Sequence, residues 1–322
     1  MKVAVTGGTG CFGWPLLKKL IAKDFDVRLL VHSETPLMSE VKGRVYIVNG
    51  DLSSNEALFD LTWDCDVVFH LAGKIHLIPR TEEEKQEFYR VNVEGTRNLL
   101  KAAKENGVRK IIFYSTVGVY GKDADFHGDE VSSCQPITAY AKSKYLAEQL
   151  VLNAFNNGGP EGIVLRFPVA YGPLDRGNVA KLIEAVRRKM FFYFGNGKCL
   201  RSMVSSGNAA EAALGVASAT NIGNEIFCIT DDRDYMLREI IEAIYNALET
   251  NWRPFHVPIL IAELVGKLGD LFEKTTRISF PVNTPKVMKL SRSLTFSCEK
   301  AKRMFGYKPT ETLEDGIFKE VE

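Results

Sequence analysis

Short apolar runs alternate with helix-patterned segments along the first half of the chain. Residues 2–6 (KVAVT) form a β-rich run, and Leu16, Leu17, Leu20 and Ile21 follow at helical spacing. Further apolar runs occur at 27–31 (VRLLV), 44–48 and 66–71 (DVVFHL). Others lie at 110–114 and 162–167, bounded by Gly, Asn, Asp or Pro. A long helix is predicted over about 82–106, with Gly107 as its C-cap, and another over 138–155, stopped by Asn-Asn-Gly-Gly-Pro. Strands that are almost continuously apolar belong in a sheet covered on both faces. The pattern predicts an α/β fold with a doubly wound (Rossmann), mostly parallel sheet.

After Tyr171-Gly172-Pro173 the alternation loosens. A helix near 178–189 leads into an aromatic run (Phe191, Phe192, Tyr193, Phe194), expected in core or strand, and a Gly195-Asn196-Gly197 turn. A strand at 201–205, a helix at 208–219 and a strand at 225–229 are expected to return to the main sheet, and the remainder is mainly helical. This organisation places a dinucleotide domain over 1–172 plus about 202–232. A smaller, mainly helical substrate domain takes about 173–201 plus 233–322, with a cleft between the two. Within it, Val257, Leu260, Ile261, Leu264, Leu268 and Leu271 form one face of a helix, and Glu263, Lys267 and Asp270 another. Packing of the apolar face into a lid or wall is expected. Its polar face lacks the Lys/Arg enrichment that favours a membrane surface.

Charge and composition narrow the class. Forty-one basic against forty acidic residues give a formal charge of +1, which offers no basic excess for nucleic acid. No run approaches the ~18 apolar residues of a membrane span. Six scattered cysteines form no CxxC pair, and Met1 leads directly into an apolar strand without a basic leader. A cytoplasmic, reduced, soluble enzyme is expected, with no metal site.

Two features carry chemistry. Residues 6–13 (TGGTGCFG) sit between a strand and a helix, the order a dinucleotide pyrophosphate needs. Gly7 permits the tight turn, Gly10 lets the backbone approach phosphate, and Gly13 lets helix and strand pack closely. Pro15 falls in the first helical turn, where its missing N–H does no harm. Among eleven tyrosines only Tyr140 has a lysine, Lys144, four residues on. That spacing puts both on one helical face. A free phenol, with a pKa of about 10, becomes a base near neutral pH if a close cation lowers it by roughly 3 units. A hydroxyl such as Thr116 would share a substrate oxygen with it.

The chain resembles the extended short-chain dehydrogenases/reductases, a superfamily of nucleotide-sugar epimerases, dehydratases, steroid dehydrogenases and dihydroflavonol reductases. The likeness rests on TGGTGCFG, Gly50-Asp51-Leu52, HLAG at 70–73 and VNVEGTRNLL. It extends through STVGVYG at 115–121, YAKSK at 140–144 and LRFPVAYGP at 165–173 to LRSMVSSGNAAEA at 200–212 and KAKRMFGYKP at 300–309. The resemblance implies Tyr140 as acid/base, Lys144 as its tuner and ribose ligand, and Thr116 as the catalytic Ser/Thr. It places Gly7, Thr9, Gly10, Cys11, Phe12 and Gly13 at the pyrophosphate, and Asp51 and Leu52 toward the adenine. Ala72, Gly73 and Asn92 line the cofactor path, with His32, Leu71, Ser115 and Phe167 also on the cofactor.

Departures from the family pattern are informative. Val117 and Gly118 replace the Asp-Glu pair of dehydratases, so dehydration is not expected. The second strand ends Val31-His32-Ser33 without an acidic residue, which would admit NADP as well as NAD. Val169 replaces an Asn that often contacts a nucleotide diphosphate, whereas Arg201 matches the Arg that clamps it. Lys74 and His76 are candidate substrate contacts. The leading expectation is a nucleotide-sugar epimerase or related oxidoreductase. The alternatives are an NADP-dependent reductase of a hydrophobic alcohol or ketone, sterol- or flavonoid-like, and a nucleotide-binding regulator without catalysis. Homodimerisation through the two long helices is implied by the resemblance alone.

Overall fold

Seven parallel strands build the central sheet: β1 (Lys2–Thr6), β2 (Asp26–Val31), β3 (Tyr46–Asn49), β4 (Val67–His70), β5 (Lys110–Thr116), β6 (Glu161–Phe167) and β7 (Glu225–Cys228). Their order is β7-β6-β5-β4-β1-β2-β3, so the winding reverses between β1 and β4. The computed structural model describes residues 1–322 apart from 76–78, 80, 123, 221, 277–279 and 281.

Alternation along each strand divides the interior into two cores. Val3, Val5, Val27, Leu29, Ile112 and Leu165 face the helices Gly13–Ala22 and Ser206–Ser218. Ala4, Leu30, Val68, Ile111, Phe113 and Val164 face the helices Asn55–Thr62, Gly95–Glu105 and Ala139–Leu152. Buried on both sides, the sheet is the doubly wound, parallel one that the apolar runs predict.

The long helix predicted over 82–106 is interrupted. An α-helical segment, Glu82–Tyr89, passes through a wider π-type turn, Arg90–Glu94, into Gly95–Glu105. Such turns often mark functional sites. Gly95 is required where the second segment crosses Leu52, since a Cβ there would lie 2.7 Å from Leu52 Cβ.

A second, smaller sheet lies beyond the C-terminal ends of β5 and β6. The strand Leu200–Ser205 is flanked by Asp234–Met236 on one side, and by Leu294–Phe296 and then Phe126–Gly128 on the other. Val169–Tyr171, continuing past β6, also pairs with it. Thus the strand at 200–205 does not return to the main sheet as expected, whereas 225–228 does. The pairing of Met203 to Ser205 with Val169 to Tyr171 holds the former strand outside.

Asp231, just past β7, locks the two parts together. Its carboxylate accepts hydrogen bonds from Tyr171 Oη (2.7 Å), Asn208 Nδ2 (2.7 Å) and the Ser205 N–H (3.0 Å). It is buried, and burial raises its pKa while these donors oppose the rise. Asp231→Ala would strand those buried donors and is expected to cost about 3 kcal/mol. Urea unfolding checks this; an unchanged midpoint would contradict it.

Candidate active site

The glycine turn and the end of β4 are fused across the point where the sheet reverses. Gly7 has φ +73°, and a Cβ there would lie 2.6 Å from the Ala72 nitrogen. Thr6 Oγ1 accepts the Ala72 N–H (3.1 Å) and pairs with His70 Nδ1 (2.8 Å), while His70 Nε2 meets Thr96 Oγ1 (2.9 Å). Complete burial holds His70 neutral, its pKa pushed down to about 3. At Gly13 a Cβ would fall 2.1 Å from the Gly7 carbonyl oxygen, so only glycine lets the helix start this close to β1. Gly10 is exposed, its N–H turned to the Gly7 carbonyl (3.3 Å).

A cavity of about 500 Å³ runs from this turn along the strand ends. Gly7, Thr9, His32, Asp51, Leu52, Ala72, Gly73 and Lys74 line it. Its glycine-lined end, at Gly7, Gly50 and Gly73, allows the close approach a dinucleotide needs, with the helix N-terminus at Gly13 suited to the pyrophosphate. His32 Nδ1 lies 3.9 Å from Asp51 Oδ2. The Ser53 hydroxyl and N–H hold the Asp51 carboxyl below its usual range. Cys11 is half-buried, and burial followed by nearby Asp175 and Glu320 keeps its thiol protonated. Phe12 packs on Tyr114 and Phe167, with ring centroids 5.6 and 4.7 Å away. Leu71 is half-buried at the edge of that core.

Asn92, in the π-type turn, serves as a strut. Its side-chain oxygen accepts the Lys74 N–H (2.7 Å), and its amide donates to the Lys74 carbonyl (3.2 Å) and to Ser143 Oγ (2.9 Å). It thereby ties the loop after β4 to the helix Ala139–Leu152. Lys74 Nζ is 3.6 Å from Glu87. His76 lies outside the described residues.

Thr138 caps that helix through the Ala141 N–H, presenting Tyr140 in the first turn and Lys144 one turn on. Thr116, the last residue of β5, accepts the Gly118 N–H (3.1 Å) at its hydroxyl, which also lowers the Tyr140 phenol's pKa. Lys144 is buried, its Nζ 3.9 Å from the Phe113 ring centroid and 3.8 Å from where a Cβ on Gly73 would sit. The electrostatics differ from the sequence expectation. Burial pushes the Tyr140 phenol up to about 12, only partly offset by Thr116. Burial likewise pushes Lys144 down to about 7, against an upward pull from Glu148. The cation expected to acidify the phenol is itself poorly solvated.

Beneath this face lies a buried polar network that the sequence reading missed. Arg166 donates from Nε and Nη2 to Glu148 (3.0 and 2.7 Å) and from Nη1 to Tyr120 Oη (3.0 Å). Ser115 Oγ donates to Glu148 (2.5 Å), so its hydroxyl turns into this network. The available signals were Glu148, which continues the Tyr140, Lys144 spacing, and Arg166, which interrupts an apolar strand.

A second cavity, of about 510 Å³, opens beyond β6, with Val169 on its wall. Phe191, Phe192, Phe194, Leu182, Met203 and Leu290 make most of it apolar, and Lys181, Arg201, Lys286 and Lys289 supply cations. Arg201 is half-buried and donates to the Leu200 (3.1 Å) and Lys289 carbonyls. The aromatic run is core and strand, as expected: Tyr193–Phe194 pairs with His256–Val257.

Fold and site thus define a dinucleotide-binding protein with a Thr-Tyr-Lys group at the strand ends. The sequence pattern of the NAD dependent epimerase/dehydratase family matches residues 3–229, and the chain belongs to that family of nicotinamide-dependent enzymes. It is 30% identical over 337 residues to sterol-4-alpha-carboxylate 3-dehydrogenase, decarboxylating, of Bos taurus (99% of this chain, 91% of that protein). It is 28% identical over 318 residues to N-acetyl-alpha-D-glucosaminyl-diphospho-ditrans,octacis-undecaprenol 4-epimerase of Escherichia coli O157:H7 (98% and 92%). The fold is also that of a crystallised UDP-glucose 4-epimerase from Thermotoga maritima, with TM-score 0.78 and 23% identity, covering 100% of this chain and 97% of that one.

Two outcomes test the electrostatics. Between about pH 7 and 10.5 the unfolded chain holds the Lys144 proton and the folded chain does not, so this residue's penalty is full below pH 7 and fades above it. Lys144→Met should therefore melt higher than wild type at pH 6, with the gain shrinking toward pH 10. Arg166→Leu leaves the Glu148 carboxylate buried without its partner and should cost about 3–5 kcal/mol in denaturant titration.

Proposed function

We propose that this chain transfers hydride between NAD or NADP and a secondary alcohol carbon, with Tyr140 as the proton-transferring group. The observation that carries the reading is that Thr116 acts on the Tyr140 phenol while Lys144, one helical turn on, reaches Gly73, which lines the cavity that begins at the glycine turn. The nicotinamide dinucleotide supplies the hydride acceptor. Thr116 holds the substrate oxygen beside the phenol. Tyr140 takes the hydroxyl proton during oxidation and returns it during reduction. Lys144 stabilises the phenolate while it exists, and Glu148 behind it favours the ammonium form.

The substrate has two supported readings. In the first, a nucleotide sugar lies with its diphosphate toward Arg201 and is epimerised through a ketone; the UDP-glucose 4-epimerase fold supports this. In the second, an apolar alcohol or ketone fills the second cavity, which the aromatic walls and Val169 favour. The engagement of Arg201 with two main-chain carbonyls leaves it fewer free donors for a diphosphate.

Tyr140→Phe should lower turnover about 10²- to 10⁴-fold while leaving NAD(P)H binding intact. Unchanged turnover would remove Tyr140 from the chemistry and favour a nucleotide-binding regulator. Absorbance at the reduced-nicotinamide band separates the substrate readings. A redox-neutral epimerase purifies with cofactor bound; cofactor-free protein that consumes added NADPH with a ketone contradicts it.

A further inference from the structure

The end of β2 lies between the two turns that shape the first cavity. In register, Thr6 of β1 faces Leu30 and Asn49 of β3 faces Val31, and the Gly50 N–H donates to the Val31 carbonyl (2.9 Å). His32 and Ser33 therefore leave the sheet with the glycine turn on one side and Asp51 on the other, and both line the cavity. In a dinucleotide site of this winding, the end of the second strand meets the adenosine ribose. A carboxylate there accepts the 2′-hydroxyl, and a cation there takes a 2′-phosphate. At positions 32 and 33 this chain has neither a carboxylate nor an arginine; it has an imidazole and a hydroxyl.

We infer that His32 selects between NADP and NAD according to its own charge. The other charges lining the cavity are paired: Lys74 and Arg90 with Glu87 (3.6 and 2.6 Å), and Glu94 with Arg97 (3.0 Å). Asp51 remains, its Oδ2 3.9 Å from His32 Nδ1. Its Oδ1 accepts the Ser53 N–H (2.7 Å) and hydroxyl (2.6 Å), which hold the carboxyl below its usual range and make it a fixed negative charge. Glu34, exposed in the loop that His32 begins, is a further carboxylate close in sequence. Histidine is the residue type that changes charge between about pH 5 and 8. Charged, the imidazole offsets Asp51 and donates to a phosphate on the ribose. Neutral, it leaves Asp51 to repel that phosphate, while a ribose 2′-hydroxyl can still donate to the imidazole nitrogen or to the carboxylate. The pair is well exposed, with side chains 80 and 46% accessible, so the discrimination is modest in size. The inference rests on the cavity holding the dinucleotide and is independent of the chemistry assigned to Tyr140.

The test is binding of NADPH and NADH to the full chain, followed by nucleotide fluorescence between about pH 6.5 and 8.5, for wild type, His32→Gln and His32→Arg. Wild type should favour NADPH at the acid end. Its ratio of dissociation constants, NADH over NADPH, should fall about three- to fivefold across the range. His32→Gln should hold the low ratio throughout, and His32→Arg the high one. The 2′-phosphate itself ionises near about pH 6, but that step is common to all three proteins. Retained NADH binding shows that each variant folds. A wild-type ratio that does not change with pH, or that changes equally in His32→Gln, overturns the inference. If neither nucleotide binds wild type, the cavity is not the dinucleotide site, and the inference falls with that reading.

Discussion

The Glu148–Arg166 ion pair is the constraint on which the site rests. Two charges taken out of water cost several kcal/mol each, and only close, multiple hydrogen bonds repay that. Here Arg166 is fixed by Glu148 and Tyr120, and Glu148 additionally by Ser115. The pair therefore joins β5, β6 and the helix Ala139–Leu152 at one depth, directly behind the turn that carries Tyr140 and Lys144. A helix held only by apolar contacts could slide or rotate by a fraction of a turn at small cost. This pair gives it one register, and with it one position for the phenol relative to Thr116.

Much of this architecture was legible in the residues. The sheet could be read because strands covered on both faces carry almost no polar residue, and the glycine turn because only glycine tolerates the contacts at Gly7 and Gly13. Boundaries shifted by a residue or two, as at β3, where the run expected at 44–48 became Tyr46–Asn49. The site was less legible. Spacing placed Tyr140 and Lys144 together but not their pKa values, because burial, which dominates both, is a property of the packed fold. Asn92 and Ser115 were expected on the cofactor; the structure shows side chains spent on Lys74, Ser143 and Glu148, since buried polar groups close on their nearest partners.

The helix Ile259–Thr276 was misread for a physical reason: Ala262, Gly266 and Gly269 are buried, and Leu260, Leu264, Leu268 and Leu271 are exposed. An apolar stripe ordinarily marks the packed side of a helix, but a helix lying very near another backbone can use its small residues for packing instead. Gly266 and Gly269 permit that approach to the segment around Thr284, and the large residues are left outside. Periodicity locates a stripe; it does not say which solvent meets it. The family match covers 3–229, and this helix with much of the second cavity's outer wall lies beyond it.

The contact between Gly7 and Ala72 also bears on motion. The two turns forming the cavity floor touch backbone to backbone and share the Thr6 hydroxyl, so neither can swing away without breaking the other. The floor behaves as one rigid plate. A dinucleotide seated there meets a surface whose shape is set by the sheet itself rather than by an independent loop.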